Sequence, residues 1–466
     1  MKNYLVFTMA TLLLGTACSS KKEHAEGFTG APGEVKLITL DPGHFHAALV
    51  QKVSYPQVSK DVYVYAPTGF DVNEHLKRIE GFNTRAENPT LWNEIVYTGT
   101  DYLEKMLAEK KGNVMIQAGN NGKKTEYIKK TLEAGINVLS DKPMAINSQN
   151  FKLLEECFDI ARQKNVLLYD IMTERNEITT MLQRELSTIP AIYGEQLKGS
   201  PDEPAIVKES VHHLFKLVDN KPLTRPVWYF DVTQQGEGIV DVTTHLVDLV
   251  QWEAFPEQII DYKKDIELVD ANRWTTSISP EEFKQVTGTD DYPDFLKKDV
   301  ENDTLKVYCN GDIVYKIKGV TAKVSVIWNY TFPEGGGDTH FSVMKGSKAD
   351  LVIRQGQEQG YKPELYIEAL PDIDLAAYEK ELAAAMSTVA DKYPGVALDK
   401  VSDNVWQVQI PATYRVGHEA HFGQVMENYL QYLQDGKLPD WEVPNMIAKY
   451  YVTTHALEMA KVKAKK

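Results

Sequence analysis

The sequence predicts an α/β protein with two domains: a doubly wound parallel sheet, followed by an α+β domain with a large, open, mostly antiparallel sheet. Three observations predict this arrangement. The 466 residues exceed the size of one typical domain. Short β-rich runs alternate with amphipathic helices through the first half of the chain, as they do in parallel α/β sheets. The second half instead carries strands of alternating polarity, and helices close the chain.

Composition and charge exclude several classes of protein. Hydrophobic residues make up 43% and charged residues 25%, which is ordinary for a globular chain and excludes disordered and fibrous proteins. Lys and Arg number 51 against 66 Asp and Glu, a formal net charge of −15. We therefore expect no nucleic-acid partner. The three cysteines are too few for a disulfide framework.

The N-terminal segment has the features of an export signal. Lys2 precedes an apolar run over 4–14, which is too short to span a bilayer and fits a secretory signal. Small residues then lead to Cys18, a pattern that resembles a bacterial lipoprotein signal. It predicts a signal peptide over 1–17, lipidation of Cys18 and a tether over 18–33. The mature protein would be exported and held on a bacterial membrane, at its periplasmic or outer face, by the lipid anchor only. The alternative is an ordinary signal peptide in which Cys18 has no role.

Residues 34–178 are predicted to form the first domain. Strands are expected over 35–40, 62–65, 114–118, 137–139 and 166–169. Helices are expected over 45–53, from the end of the 119–122 turn to residue 132, and over 151–164. Compact apolar runs bounded by Gly, Pro and Asn are typical of the strands of such a sheet. Ligands bind beyond the carboxyl ends of the strands in an open α/β sheet, so the turns after these strands are the expected place for a site.

Residues 179–466 are predicted to form the second domain. Asn310-Gly311 separates two apolar runs and predicts a type I′ hairpin turn, because both residues accept a positive φ. Further antiparallel strands are expected over 323–330, 340–344 and 351–353, and closing helices over 375–392, 418–434 and 445–462.

The turn after the first strand is a candidate for binding a dinucleotide. It contains Gly43, the one residue of the 41–46 segment that occupies a glycine position of the G-x-G-x-x-G pattern. That glycine lets a pyrophosphate approach the backbone. A strand-to-helix turn with one glycine is an equal alternative. Ala66 and Pro67 stand where an acidic residue would accept ribose hydroxyls, so this position favours neither NAD nor NADP.

Two further motifs carry groups suited to the chemistry of an alcohol. Lys142 follows a predicted strand, and a lysine in a cleft can stabilise a developing alkoxide. Asp241 and His245 are four residues apart, so they are predicted to share one face of an apolar helix. A histidine can remove a hydroxyl proton near neutral pH, and an aspartate beside it can orient it. The alternatives are a solvated loop lysine and a structural Asp–His pair.

These pieces together resemble the Gfo/Idh/MocA family of glucose–fructose oxidoreductase, inositol dehydrogenase and relatives. The stretches 114–121 and 132–143 resemble its third strand–turn–helix unit and its E-K-P motif, with Asp141 in place of the glutamate. Asn121 matches the asparagine of the family's T-P-N turn, and Asp241-x-x-x-His245 matches its D-x-x-x-H motif. The glycine turn departs from the family's pattern.

The resemblance implies a Rossmann domain that binds NAD or NADP, and a C-terminal sheet that can form a homo-oligomer. It also implies a catalytic set. His245 would be the general base on a sugar hydroxyl, Lys142 would position and polarise that oxygen, and Asp241 would support the pair. The residues expected at the cofactor are Gly43, His44, Phe45, Asn121, Asp141 and Lys142.

Three residues are candidates for binding the substrate. His213 and Lys216 precede the aromatic run 228–230, and polar donors beside aromatic rings suit carbohydrate. Arg175 resembles an arginine seen at this place in relatives and is expected to face the cleft. The alternative is that the adjacent His212 and His213 are surface residues. No metal site is predicted, because His212, His213 and Asp241 lack tight ligand spacing.

The predicted function is NAD(P)-dependent oxidation of a hydroxyl group on a small sugar or glycoside. Because free dinucleotide is scarce outside the cytoplasm, the cofactor is expected to stay bound through turnover. One alternative keeps the site but cleaves a glycoside by oxidation followed by elimination. The other is a lipoprotein that retains the fold only to bind a glycan. The loss of two glycines from the turn after the first strand favours this second alternative.

Overall fold

The computed structural model describes residues 27–218, 221–332 and 335–465. The predicted signal peptide, Cys18 and most of the predicted tether lie outside these residues. Within the described part of the chain, no helix has the length and apolar character needed to cross a membrane. The described residues form two large sheets with flanking helices, one parallel and one mostly antiparallel, so the predicted α/β class is confirmed.

The first sheet has six strands, all paired in parallel. These are β1 (Leu37–Leu40), β2 (Asp61–Ala66), β3 (Asn93–Thr98), β4 (Val114–Gln117), β5 (Asn137–Asp141) and β6 (Leu168–Ile171). The helices are α1 (His46–Leu49), α2 (Phe70–Thr84), α3 (Tyr102–Glu109), α4 (Asn121–Glu133) and α5 (Ser148–Lys164). The strand order is β3-β2-β1-β4-β5-β6. The order reverses between β1 and β4, and an open α/β sheet binds its ligand at such a point.

Local sequence explains most of these elements. Strands β1, β4 and β5 are buried at every residue, which their apolar runs predict. Helices α4 and α5 begin where the side chains of Asn120 and Asn147 accept hydrogen bonds from backbone N–H groups of the first turn. Strand β3 escaped prediction because most of its residues are exposed. Helix α1 ends at Leu49 and is shorter than the predicted 45–53.

The second sheet contains ten strands. The remaining strands of the chain are β7 (Ile206–His213), β8 (Leu217–Val218), β9 (Lys221–Pro222), β10 (Ile266–Ile278), β11 (Val300–Glu301), β12 (Thr304–Ile317), β13 (Val320–Asn329), β14 (Thr339–Lys345), β15 (Ala349–Gln355), β16 (Glu364–Ala369), β17 (Ala397–Ser402) and β18 (Val405–Gln409). Nine follow the order β10-β12-β13-β7-β14-β15-β16-β18-β17, β11 pairs with β12, and β8–β9 form a separate pair. The pairing of β13 with β7 is parallel and the others in this sheet are antiparallel.

Among the described residues, the second half of the chain adds seven α-helices. They are α6 (Ile178–Ser187), α7 (Thr243–Ala254), α8 (Tyr262–Asp265), α9 (Pro280–Thr287), α10 (Leu375–Lys392), α11 (His418–Asp435) and α12 (Glu442–Lys463). Helix α11 returns to the parallel sheet, where Phe422 and Tyr429 join the first hydrophobic core. Helix α12 contributes Tyr450 to that core and Val452 to the core of the second sheet. The C-terminal helices therefore tie the two sheets together.

The hairpin turn predicted at Asn310-Gly311 is wrong. Both residues lie inside β12, and the turn comes later, at Lys318-Gly319, whose φ angles are 48° and 80°. The Asn310 side chain donates to the carbonyl of Trp274 (3.2 Å) and accepts from the backbone N–H of Trp328 (2.6 Å). A Cβ at Gly311 would lie 2.9 Å from the Cβ of Ile239. Close packing in the sheet, rather than a turn, accounts for this dipeptide.

Candidate active site

The three predicted catalytic residues line one cavity of about 470 Å³ between the two halves of the chain. Lys142 directly follows β5, at the carboxyl end of the parallel sheet. Its Nζ donates to Asp241 Oδ1 at 2.6 Å, and Gln235 Nε2 donates to Asp241 Oδ2 at 3.1 Å. His245, in the first turn of α7, lines the same cavity. The structure therefore brings an ammonium from the first domain close to an imidazole from the second.

Asp241 lies outside the helix on which sequence spacing placed it. Helix α7 begins at Thr243, and Asp241 belongs to the preceding turns, where its N–H donates to the carbonyl of Glu237 at 3.1 Å. The prediction that Asp241 and His245 share one helix face is therefore wrong. The glycine-flanked approach to the helix forms successive turns, and these still direct both side chains to the cavity wall.

Lys142 and Asp241 are held as a charged pair. Burial alone would lower the pKa of the Lys142 ammonium, but the carboxylates of Asp241 and Asp141 raise it above its ordinary value. Burial alone would raise the pKa of the Asp241 carboxyl, but Lys142 and the Gln235 amide hold it below its ordinary value. Lys142 thus remains a proton donor for hydrogen bonds throughout the neutral range.

His245 is held neutral. Burial, with the nearby charge of Lys142, lowers its pKa to about 4. Its Nδ1 is buried and has no hydrogen-bond partner among the described residues. A neutral imidazole carries one unprotonated ring nitrogen that can accept a proton, which is what a general base must do.

Glu174 and His418 form a second titratable pair at the same cavity, and sequence reasoning missed both. His418 Nδ1 lies 3.3 Å from Glu174 Oε1. Burial opposes ionisation of each, but their contact holds the pKa of Glu174 below and that of His418 above the ordinary value. Glu174 follows β6 at the carboxyl edge of the sheet, which is a usable sequence signal. His418 carries none, because α11 reaches the cavity only through the tertiary fold.

The turn after β1 differs from a pyrophosphate-binding turn. The N–H groups of Gly43 and His44 both donate to the carbonyl of Ala118, at 3.1 and 3.2 Å. The Trp228 ring covers Gly43, where a Cβ would lie 3.0 Å from Cζ2, and its Nε1 donates to Asp71 Oδ2 at 2.9 Å. The backbone donors that usually receive a phosphate are therefore bonded within the protein.

The crevice nevertheless offers space at both ends for a dinucleotide. A cavity of about 410 Å³, the size of a small-molecule site, lies at the ends of β1 and β2 between residues 66–72 and 225–228. A narrow space of about 60 Å³ beside Gly43 separates it from the catalytic cavity. The two cavities have room for the adenosine and nicotinamide ends of the cofactor. The middle of the crevice is constricted by Trp228 and by the Asp71 carboxyl, whose pKa burial raises to about 6.

The other expected cofactor residues also lie at this crevice. His44, Phe45, Asn121 and Asp141 line the catalytic cavity, and Gly43 lines the narrow space beside it. The Asn121 amide donates to the carbonyl of Gln235 at 2.7 Å, so it joins the two domains. Burial lowers the pKa of His44 well below its ordinary value, so the imidazole is neutral.

Of the predicted substrate residues, Lys216 lines the cavity and bonds Asp338. Of the two adjacent histidines, His212 lines the cavity and His213 does not. The His212 ring stacks on Trp328 with centroids 4.8 Å apart. His213 is buried behind it, with Nδ1 3.0 Å from Asp338 Oδ1. Sequence reasoning missed Asp338, whose carboxylate contacts His212, His213 and Lys216. His212 and Lys216 hold the pKa of Asp338 below its ordinary value, although burial alone would raise it.

Arg175 does not face the cleft, so that prediction is wrong. Its Nε and Nη2 donate to the two carboxylate oxygens of Asp248, each at 2.7 Å, and its Nη1 donates to Glu442 Oε1 at 2.7 Å. These partners lie on α7 and α12, far along the chain. Arg175 is a buried link between the domains.

Two family models match the sequence. Residues 72–170 match "Oxidoreductase family, NAD-binding Rossmann fold" (GFO_IDH_MocA), and residues 182–461 match "Putative oxidoreductase C terminal domain". The chain belongs to the Gfo/Idh/MocA oxidoreductase family. It is an NAD(P)-dependent oxidoreductase with a Rossmann domain, as its sequence predicted. The first match begins in α2, beyond β1 and the altered glycine turn.

Solved structures show the same fold. A "putative oxidoreductase" from Parabacteroides merdae is 88% identical, with a TM-score of 0.93 over 94% of this chain and 100% of that chain. A "putative oxidoreductase" from Thermotoga maritima is 13% identical, with a TM-score of 0.58 over 92% of this chain and 98% of that one. Levoglucosan dehydrogenase in complex with NADH is 13% identical, with a TM-score of 0.59 over 92% and 97%. The last two show the fold alone. None of the curated proteins matches the sequence.

Proposed function

We propose that the protein oxidises a hydroxyl group of a sugar or glycoside, using a tightly held NAD or NADP. The observation that supports this is the meeting of Lys142, Asp241 and neutral His245 in one cavity at the nicotinamide end of the crevice. Bound nicotinamide supplies the hydride acceptor for such a reaction. Gly119, Asn121 and Lys142 would hold that end of the cofactor.

The chain's own groups manage the proton. The Lys142 ammonium donates a hydrogen bond to the substrate oxygen and stabilises the negative charge that develops there. The neutral imidazole of His245 accepts the hydroxyl proton. Asp241 fixes the direction of the Lys142 ammonium through the 2.6 Å contact, and Gln235 fixes Asp241 in turn.

A carbohydrate is the proposed substrate because the cavity wall combines aromatic rings with charged donors and acceptors. Tyr229 and Trp328 supply the rings, and Lys216, Arg225 and Asp338 supply the polar groups. Sugars present both apolar faces and dense hydroxyls, which this combination matches. Levoglucosan dehydrogenase, which shares the fold, acts by its name on levoglucosan, a sugar derivative.

The direct test is to denature the purified protein and identify any released dinucleotide by mass spectrometry. We expect NAD or NADP in near-stoichiometric amount, followed by a keto product when glycosides are supplied to the native protein. Protein that neither carries a dinucleotide nor binds added NAD or NADP would contradict the proposal.

Glycoside cleavage by oxidation and elimination is the second candidate, and the Glu174–His418 pair favours it. Elimination needs a proton donor for the oxygen of the departing aglycone, and His418, whose pKa is raised by its contact with Glu174, lies at the cavity with His245. Product analysis separates the two outcomes, because a released aglycone indicates cleavage and an intact keto-glycoside indicates oxidation alone.

We also propose that the protein is exported and anchored to a bacterial membrane through a lipid on Cys18. The support is the sequence pattern that precedes this cysteine. Membrane fractionation tests it: Cys18→Ser should move the protein from the membrane to the soluble fraction, with its fold unchanged. A variant that stays membrane-bound would contradict lipidation at this residue.

A homo-oligomer through the second sheet is proposed in addition. Phe341 on β14 is 38% exposed, which leaves an apolar ring available to a second copy. Native mass spectrometry should show an oligomer that Phe341→Glu weakens, and a monomeric wild-type protein would contradict the proposal.

A further inference from the structure

The proposed proton transfer gives no direct part to one group of side chains at the cavity. These are His44 and His46, from the turn and helix after β1, and Asp141, the last residue of β5. His46 Nδ1 lies 3.0 Å and His44 Nδ1 3.6 Å from the same oxygen, Asp141 Oδ2. One donor atom from each residue lies within 4.8 Å of the others. Two nitrogens and a carboxylate oxygen thus converge on one small volume.

The altered turn creates this convergence. In the G-x-G-x-x-G pattern His46 occupies the position of the third glycine, so an imidazole extends toward β5 where a hydrogen atom would stand. The two histidine rings lie perpendicular, with centroids 4.0 Å apart, and Phe422 of α11 packs on the His46 ring at 4.6 Å. Packing therefore holds His46 in one orientation, which an outer shell does for metal ligands.

Hydrogen bonding explains only part of the group. The contact of His46 with Asp141 is a hydrogen bond, but His44 Nδ1 is buried and has no hydrogen-bond partner among the described residues. The two distances to Asp141 Oδ2 instead suit an ion. Ligand atoms bound to one Zn²⁺ at about 2.0–2.1 Å in tetrahedral geometry lie roughly 3.3 Å apart, between the two observed distances.

We propose that His44, His46 and Asp141 bind one divalent transition-metal ion, with Zn²⁺ as the first candidate. Two imidazoles and one carboxylate are a common ligand set for such ions when a position stays open. All three residues line the cavity that Lys142 and His245 also line, so the open position faces the substrate space. The positive charge of Lys142 is offset by Asp241 at 2.6 Å. This site does not depend on the proposed function.

The test is to strip the full-length protein with a chelator and titrate it with Zn²⁺, and separately with Co²⁺, in the absence of sugar and dinucleotide. We expect one equivalent of each ion, measured by calorimetry and elemental analysis, and a Co²⁺ absorption spectrum typical of nitrogen and oxygen ligands. His44→Ala and Asp141→Asn should each weaken binding by more than about 100-fold, beyond the 10- to 100-fold typical of outer-shell partners.

His212→Ala is the matched control, because His212 lines the same cavity outside the group and its loss should leave metal affinity unchanged. The Co²⁺ spectrum of the wild-type protein needs no variant, so it tests the site even if a substitution impairs folding. Failure of the wild-type protein to bind either ion stoichiometrically would overturn the proposal, as would equal affinity in His44→Ala, Asp141→Asn and wild type. The two histidines would then serve only as neutral partners of Asp141.

Discussion

Two groups of ion pairs join the two domains: Lys142 with Asp241, and Arg175 with Asp248 and Glu442. Their side chains are buried to a similar extent, but the first group borders a cavity and the second is enclosed by protein. Lys142 and Asp241 keep 10% and 8% of their side chains exposed, close to the 9% of Arg175. Yet Lys142 lines the catalytic cavity, whereas Arg175 is enclosed by protein on α7 and α12. Fractional exposure therefore does not separate a functional cation from a structural one. The presence of a cavity beside the charge does.

The hydrogen bonds of the two cations show the same difference. Arg175 uses three nitrogens on two carboxylates, and Lys449 links Asp248 to Asp170 at 2.8 and 2.7 Å, which completes a sealed network. Lys142 makes one hydrogen bond, to Asp241, among the described residues. An ammonium has three donors, so Lys142 retains donors for a substrate.

The largest expected effect comes from breaking the sealed network. Arg175→Met leaves Asp248 and Glu442 buried beside one lysine, so we expect the free energy of unfolding to fall by about 3–5 kcal/mol. Denaturant unfolding measures it. Arg162→Met is the control, because Arg162 is 78% exposed in a surface pair and its loss should cost about 0.5 kcal/mol or less. Equal stability of the two variants would show that the network is not structural.

The second prediction concerns Lys142, whose loss should lower activity more than stability. Lys142→Met removes the donor at the substrate oxygen, so we expect kcat to fall about 100- to 1000-fold. The loss of stability should be smaller than in Arg175→Met, since the cavity lets water reach Asp241. Steady-state kinetics and unfolding of the same sample measure both. Lys129→Met removes a partly exposed lysine in a surface pair and should change neither. A Lys142→Met variant that is active but unstable would show that the Lys142–Asp241 pair is structural, as the Arg175 network is.

This comparison also shows what the sequence predicts and what it cannot. Buried runs such as β4 and β5 are visible as apolar segments, and the motif around Lys142 marks the carboxyl edge of the sheet. Glu174 and Arg175 are neighbours in one short turn, but the first lines the cavity and the second does not. Their assignment depends on Asp248, Glu442 and His418, which lie far along the chain. Asn310-Gly311 fails for the same reason, because its partners come from other strands.

The third prediction concerns pH, where the cavity and the sealed network differ again. Burial lowers the pKa of His245 and of His340 to about 4, so both stay neutral in the folded protein while the unfolded chain takes up protons below pH 6.5. Stability is therefore lost as pH falls from 6.5 toward 4, by up to about 1.4 kcal/mol per pH unit for each histidine. Asp248, with its pKa lowered, adds a loss only at more acidic pH.

Unfolding measured at several pH values checks this, with His340→Gln as the variant. Its stability should depend less steeply on pH between 6.5 and 5 than that of the wild-type protein. Identical slopes would mean that His340 is not held neutral by burial.

The smallest expected effect is the response of His245 to its charged neighbours. Lys142 lowers its pKa and Glu174 raises it, beside the larger effect of burial. Lys142→Met should therefore move the titration midpoint of His245 upward from about 4, by about one pH unit, and Glu174→Gln should move it downward. Ring-proton NMR measures both midpoints without requiring activity. Shifts of the same sign in the two variants would show that altered burial, rather than charge, sets the basicity of His245. Opposite signs would show that the charges of Lys142 and Glu174 tune the basicity of His245 in the cavity.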